Sequence, residues 1–291
     1  MRARKHAQRG AALLSFAVFL GVIILGIITT LSAGLLRKQQ GTLLLRQQAY
    51  VEEVIQRVGI YYEKNAGVLD RDSTWTSYRE NSFKAAAIDQ EKFGVTLVVS
   101  DRLTSPEGIK YRRVLVYTPS DTDALNPPDT ASFATSGVFN TCSDPSKACD
   151  RRAFAIYDAL DLQKRNYART VVKMQEIALR AQTYYKARVL QDPERNSTVN
   201  YFLPPLGCSA VLANDLPCLP LTGNGFVDLA SANISGQLGL EPSLFTNAWG
   251  TAIQVTNMAP HAETTAAPYS LVIRTQSPWG GFMQIYATQT L

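Results

Sequence analysis

The sequence is poor in the residues that carry catalysis. It has two histidines, His6 and His261, and only His261 lies away from the amino terminus, in the turn-like segment NMAPHAETTAAP. One loop histidine supplies no nucleophile–base pair, and no GxSxG, HExxH, P-loop or GxGxxG motif occurs. No catalytic set is therefore expected, nor any cofactor. Cysteine is also scarce: Cys142, Cys149, Cys208 and Cys218 are the four, in two local pairs with no histidine close by and without zinc-site spacing. An excess of one charge is missing from the body of the chain. The net charge is +5, but Arg2, Arg4, Lys5 and Arg9 supply four of the 29 basic residues, and without them 25 face 24 acidic ones. That balance excludes a basic nucleic-acid-binding face. With 46% hydrophobic and 18% charged residues, the composition is that of a folded protein.

What is present is a long apolar run. Residues 11–36, AALLSFAVFLGVIILGIITTLSAGLL, contain no charge. As a helix they would extend ~39 Å, enough to cross a hydrocarbon core of ~30 Å. Arg9 precedes the run and Arg37 and Lys38 follow it, with basic residues denser on the amino side. That asymmetry predicts a single pass with a cytoplasmic amino terminus and an exported body. The run is too long for the apolar region of a conventional cleaved signal peptide, although Ser32, Ala33 and Gly34 leave such cleavage open. The two cysteine pairs then read as short-loop disulfides, Cys142–Cys149 and Cys208–Cys218, formed in an oxidising compartment such as the periplasm. Four free thiols, or crossed pairings, are the alternatives that spacing leaves open.

Residues 1–10, MRARKHAQRG, are short, polar and basic, and end in glycine directly before the apolar run. This resembles the leader of the type IV pilin and pseudopilin superfamily. The resemblance implies cleavage by a prepilin peptidase between Gly10 and Ala11, and filament assembly through the exposed helix. It also implies a bacterial inner-membrane location, cell-surface display if a pilus forms, and a set of partners: other pilins or pseudopilins, an inner-membrane assembly platform and membrane lipid. One position departs from the family. Most pilins carry glutamate at mature position five, which is Ser15 here. In the family that glutamate neutralises a neighbour's terminal ammonium within an apolar core, where an unpaired charge is costly. Some tip-located minor subunits lack it, so Ser15 points to a minor, tip or initiating subunit.

Beyond the membrane the helix continues. Val51, Val54, Val58 and Tyr61 recur at helical steps with charged residues off the stripe, predicting a helix to about Lys64 that docks on its own sheet. Gly21, Gly26, Gly34 and Gly41 are positions where it could bend. The segments 93–99 (FGVTLVV) and 111–118 (YRRVLVYT) predict an antiparallel hairpin, and 119–152 a long loop. The acidic residues Asp70, Asp72, Asp121 and Asp123 fall in polar stretches and are expected to be solvated. Residues 153–188 predict a second helix, with Met174, Ile177, Ala181 and Tyr184 repeating the steps of the first. Tyr61-Tyr62 and Tyr184-Tyr185 are expected to pack between helix and sheet.

The pattern repeats. VIQRVGIYY at 54–62 aligns with IALRAQTYY at 177–185, FGVTLVV with WGTAIQV at 249–255, and YRRVLVYTPS at 111–120 with YSLVIRTQSP at 269–278. The expected fold class is α+β: a leader (1–10), a transmembrane helix (11–36), and two pilin-like helix-plus-sheet modules (37–150 and 151–291). FTNAWGTAIQV at 245–255 resembles the turn that opens the sheet in type IVb pilins and pseudopilins. There Gly250 would allow the tight turn and Trp249 would close the core beneath it. Over 166–291 the chain is similar to shufflon-type minor pilins. Some pseudopilins bind calcium in a loop corresponding to 256–268, but Glu263 is the sole carboxylate there, so no metal is expected. The alternative reading is a signal-anchored periplasmic binding or scaffold protein that never enters a filament.

Overall fold

The computed structural model describes residues 3–71, 92–120, 123, 125–147, 152–195, 226–232, 234–256 and 270–289. Of the helical side chains before Lys38, those of Leu20, Gly26, Thr29–Ser32 and Leu35 are described. The fold class is α+β, with helices packed on antiparallel sheets.

Helix α1 spans Ala3–Leu69, 67 residues in one piece, or about 100 Å. Its described amino half stands clear of the core: Leu20, Leu31, Leu35, Leu43 and Leu45 are all exposed. From Tyr50 onward it enters the first hydrophobic cluster through Val51, Val54, Val58, Tyr62 and Ala66. The expected stripe holds, with Tyr62 in the place assigned to Tyr61, and α1 ends five residues beyond Lys64. Among the described residues no helix is long and apolar enough to cross a membrane. Most side chains of the 11–36 run lie outside that set.

The first sheet has the order β1-β4-β5, all antiparallel. Strand β1 is Thr96–Val99, β4 is Arg113–Tyr117 and β5 is Phe154–Asp158. Between β1 and β4 the expected hairpin carries a small ladder of its own, β2 (Leu103–Thr104) on β3 (Lys110–Tyr111). Two expectations are corrected. The segment 119–152 contains a helix, α2 (Thr130–Ser136), because Asp129 caps its first turn and Gly137 ends it at φ 69°. The predicted second helix gives its first residues to β5. FAIYD is β-branched and aromatic, and its pairing with β4 outweighs helix propensity. The first sheet thus extends past the expected boundary at residue 150.

The second unit opens with α3 (Leu160–Gln191). Its sheet runs in the order β6-β7-β8-β9: Phe226–Asp228, Ile253–Thr256, Ser270–Gln276 and Phe282–Thr288. A short helix α4 (Ile234–Gln237) and a 3-10 turn (Pro242–Leu244) lie between β6 and β7. The long helices of the two units carry matching buried stripes. Val51, Val54, Val58 and Tyr62 on α1 correspond to Met174, Ile177, Ala181 and Tyr185 on α3, and every one is buried. Each helix packs on the last two strands of its sheet, α1 on β4 and β5, α3 on β8 and β9. The strand alignment shifts by one residue from that predicted: Leu271 and Ile273, not Val272 and Arg274, take the inward places of Val114 and Val116. A shift of one residue exchanges the faces of a strand, and Arg274 accordingly lies on the outer face.

Candidate functional site

The described residues that the sequence singled out fall in three separate places: α1, the segment around Cys142, and the turn at Trp249 and Gly250. Gly10, Ala11 and Ser15 all lie within the backbone of α1, and their side chains are outside the described set. Cys142 is disulfide-bonded, while Cys149, Cys208 and Cys218 fall outside the described residues. His261 and most of 256–268 fall outside as well, and among the described residues no group of acidic, histidine or cysteine side chains could hold a metal ion. Trp249 and Gly250, by contrast, sit beside a group of buried hydrogen-bonded polar side chains at the junction of the two units.

The turn is built from Asn247. Its Oδ1 accepts from the backbone N–H of Trp249 and of Thr251, both at 2.9 Å. Its Nδ2 donates to Thr275 Oγ1 and to the Gln276 carbonyl, both at 3.0 Å. One buried side chain therefore fixes the turn and ties it to β8. Gly250 adopts φ 81°, as a tight turn requires. The N–H of Ala248 donates to Thr170 Oγ1 on α3 at 3.2 Å.

The Trp249 ring corrects the expectation placed on it. It does not close the core of its own unit but belongs to the hydrophobic cluster of the first, with Val58, Tyr62, Leu97 and Val114. The Trp279 ring stands nearly perpendicular to it, 5.5 Å away between centroids. The reason is polar. Trp249 Nε1 donates to Gln163 Oε1 at 2.7 Å, and Gln163 stands at the start of α3, beside the end of α1. Gln163 Nε2 in turn donates to Asp70 Oδ2, and the Tyr62 hydroxyl donates to Asp70 Oδ1. The buried Arg112 guanidinium lies 3.7 Å from the same carboxylate and donates to the Ser100 carbonyl at 2.9 Å. Indole N–H can only donate, so the chain Trp249–Gln163–Asp70–Tyr62 has a fixed direction, and the carboxylate accepts at both ends.

Asp70 is thus 1% exposed rather than solvated. Burial pushes its carboxyl up to about 6, against the opposing pull of the Tyr62 hydrogen bond and of the Arg112 and Arg102 charges. Burial likewise raises the Tyr62 hydroxyl well above its ordinary value and lowers Arg112. Asp123 is corrected too: it accepts from buried Arg152 at 2.7 Å. A signal for Asp70 was present in the sequence, since Tyr62, Ala66 and Asp70 continue the buried stripe at steps of four. For Arg112 and Gln163 there was none, as both are specified by contacts between distant segments.

Close backbone approach completes the junction. A Cβ built on Gly67 would sit 2.2 Å from the Trp249 carbonyl oxygen. Replacing Gly67 by alanine favours the helix intrinsically by up to ~1 kcal/mol, yet this contact cannot accommodate a methyl group. The expected result is net destabilisation of ~1–3 kcal/mol, read from urea denaturation of the purified chain. A Gly67→Ala protein as stable as the parent would show that α1 and the turn are free to separate. Comparison with protein families, curated proteins and solved structures gives no match to this chain.

Proposed function

We propose that this protein is a minor, tip or initiating subunit of a type IV pilus or type II secretion pseudopilus, anchored in the bacterial inner membrane and assembled through α1. The observation that carries the reading is the division of labour within that helix. Its carboxyl half is buried against an antiparallel sheet, while the described leucines of its amino half are exposed. A helix that is so apolar over 11–36 needs a cover of lipid or of other helices, and both are offered by a membrane-stored, filament-forming subunit. The basic leader ending at Gly10 supplies the processing signal for a prepilin peptidase. The disulfide at Cys142 supports an oxidising compartment for the exported body. Ser15 supports low copy number, because serine cannot neutralise a neighbour's terminal ammonium at every step of a repeating core. The partners are other pilins or pseudopilins, the assembly platform and membrane lipid.

Leader processing tests the proposal. Intact-mass measurement on protein purified from membranes containing a prepilin peptidase should give a chain that begins at Ala11, and Gly10→Asp should leave it uncut. A native chain that still begins at Met1 would favour the signal-anchored periplasmic scaffold instead.

A further inference from the structure

The outer face of the second sheet carries an arrangement that neither folding nor the filament reading uses. Asp228, Gln254, Arg274 and Gln284 stand opposite one another across β6, β7, β8 and β9. Gln254 Nε2 donates to Asp228 Oδ1 at 2.9 Å, and Arg274 Nε donates to Gln254 Oε1 at 3.0 Å. The Arg274 guanidinium carbon lies 3.4 Å from the centre of the Phe226 ring and 4.6 Å from that of Phe282. Two rings and one amide therefore hold the guanidinium in a fixed orientation. No acceptor among the described residues is bonded to its two terminal nitrogens, and Asp228, the carboxylate on this row, is engaged by Gln254. Beside it Phe282 and Tyr286 are 53% and 57% exposed.

We propose that this face docks an acidic segment of a protein partner, whose carboxylate is gripped by the two terminal nitrogens of Arg274 while neighbouring apolar side chains pack on Phe282 and Tyr286. A guanidinium lying against aromatic rings is partly stripped of water and keeps its charge, so it favours an anion. Its free edge presents two parallel donors, the geometry that a carboxylate accepts in a bidentate pair. Its side-chain entropy is already spent by Gln254 and the rings, so less is lost on binding. Exposed aromatic residues around an arginine are also the composition of protein-binding surfaces. A carboxylated sugar is the less suitable occupant, because it has less apolar surface than a peptide to set against the exposed Phe282 and Tyr286 rings.

The test uses the full chain in detergent micelles and two fluorescent peptides, acetyl-Leu-Glu-Phe-Glu-Leu-amide and its counterpart with glutamine at both glutamates. The parent should bind the glutamate peptide at least about tenfold more tightly. Arg274→Gln should abolish that preference. Arg274→Lys, which keeps the charge without the fork, should retain only part of it, and it serves as the decisive variant if the glutamine form does not fold. Phe282→Ala should weaken both peptides alike. Equal binding of the two peptides, a glutamate preference that survives in both Arg274 variants, or no binding up to about 1 mM would overturn the proposal. Arg274-dependent binding of an oligogalacturonate without peptide binding would overturn the assignment to a protein partner.

Discussion

Replacing Asp70 with alanine is expected to lower the free energy of unfolding by ~3 kcal/mol at neutral pH, more than any surface substitution would. The change removes a carboxylate 3.7 Å from a buried arginine, and with it the acceptor that Tyr62 and Gln163 share. Breaking one side of a buried charged network costs far more than an exposed pair is worth. The deficit should depend on pH in a defined direction. The native carboxyl titrates near pH 6, and an unfolded aspartate near 4, so the native state binds the proton more tightly. The stabilisation from protonating Asp70 is fully present below about pH 4, declines as pH rises and is gone above about pH 6. Every group facing the carboxyl enters that balance: Tyr62 on α1, Arg112 before β4, Arg102 after β1 and Gln163 on α3. As pH falls from 7 to 4, the parent should therefore gain up to ~3 kcal/mol over Asp70→Ala. Paired guanidinium melts at several pH values would show it. A gap that narrows on acidification would mean that Arg112 outweighs burial at this site.

The halves of the fold that were legible in the sequence are those governed by local periodicity. The stripe Val51–Val54–Val58 and its counterpart Met174–Ile177–Ala181 follow from a repeat of 3.6, and the strands at 96–99, 113–117 and 253–256 follow from runs of β-branched residues. Strand β5 escaped because FAIYD adjoins a strong helical pattern, and only its pairing with β4 decides its conformation. The final strand β9 was likewise unannounced. FMQIYAT alternates apolar and polar residues too loosely to be separated from the turn before it, and its register is set by β8. The junction was half legible. Asn247, Trp249 and Gly250 announce a turn by their chemistry, but which core the indole enters depends on Gln163, a residue without local signature. Asp70 read as solvated because Arg71 and Asp72 follow it in sequence, while its neighbours in space are Gln163 on α3 and Arg112, the residue before β4.

Trp249→Ala is expected to cost ~4 kcal/mol, and the location of the loss matters more than its size. The substitution opens a cavity the size of an indole in a packed cluster and strips Gln163 Oε1 of its donor. Phenylalanine should recover most of the packing and forfeit the hydrogen bond, for a loss of ~1–2 kcal/mol. The turn itself should survive both changes. Its geometry rests on the Asn247 side chain and on the positive φ of Gly250, and neither needs the indole. The second unit also keeps its own cluster, from Met174 through Ile273, which does not include Trp249. Damage should therefore appear across the junction, in the first unit. Hydrogen exchange should accelerate over residues 50–69 of α1 and over β4, while β7, β8 and β9 retain their protection. Denaturation, expected as a single transition in the parent, should broaden or divide in the alanine variant, because Trp249 is the largest buried side chain that the second unit contributes to the first cluster. Loss of protection confined to β6–β9 would mean that the indole closes its own unit after all, and that the two units fold without reference to each other.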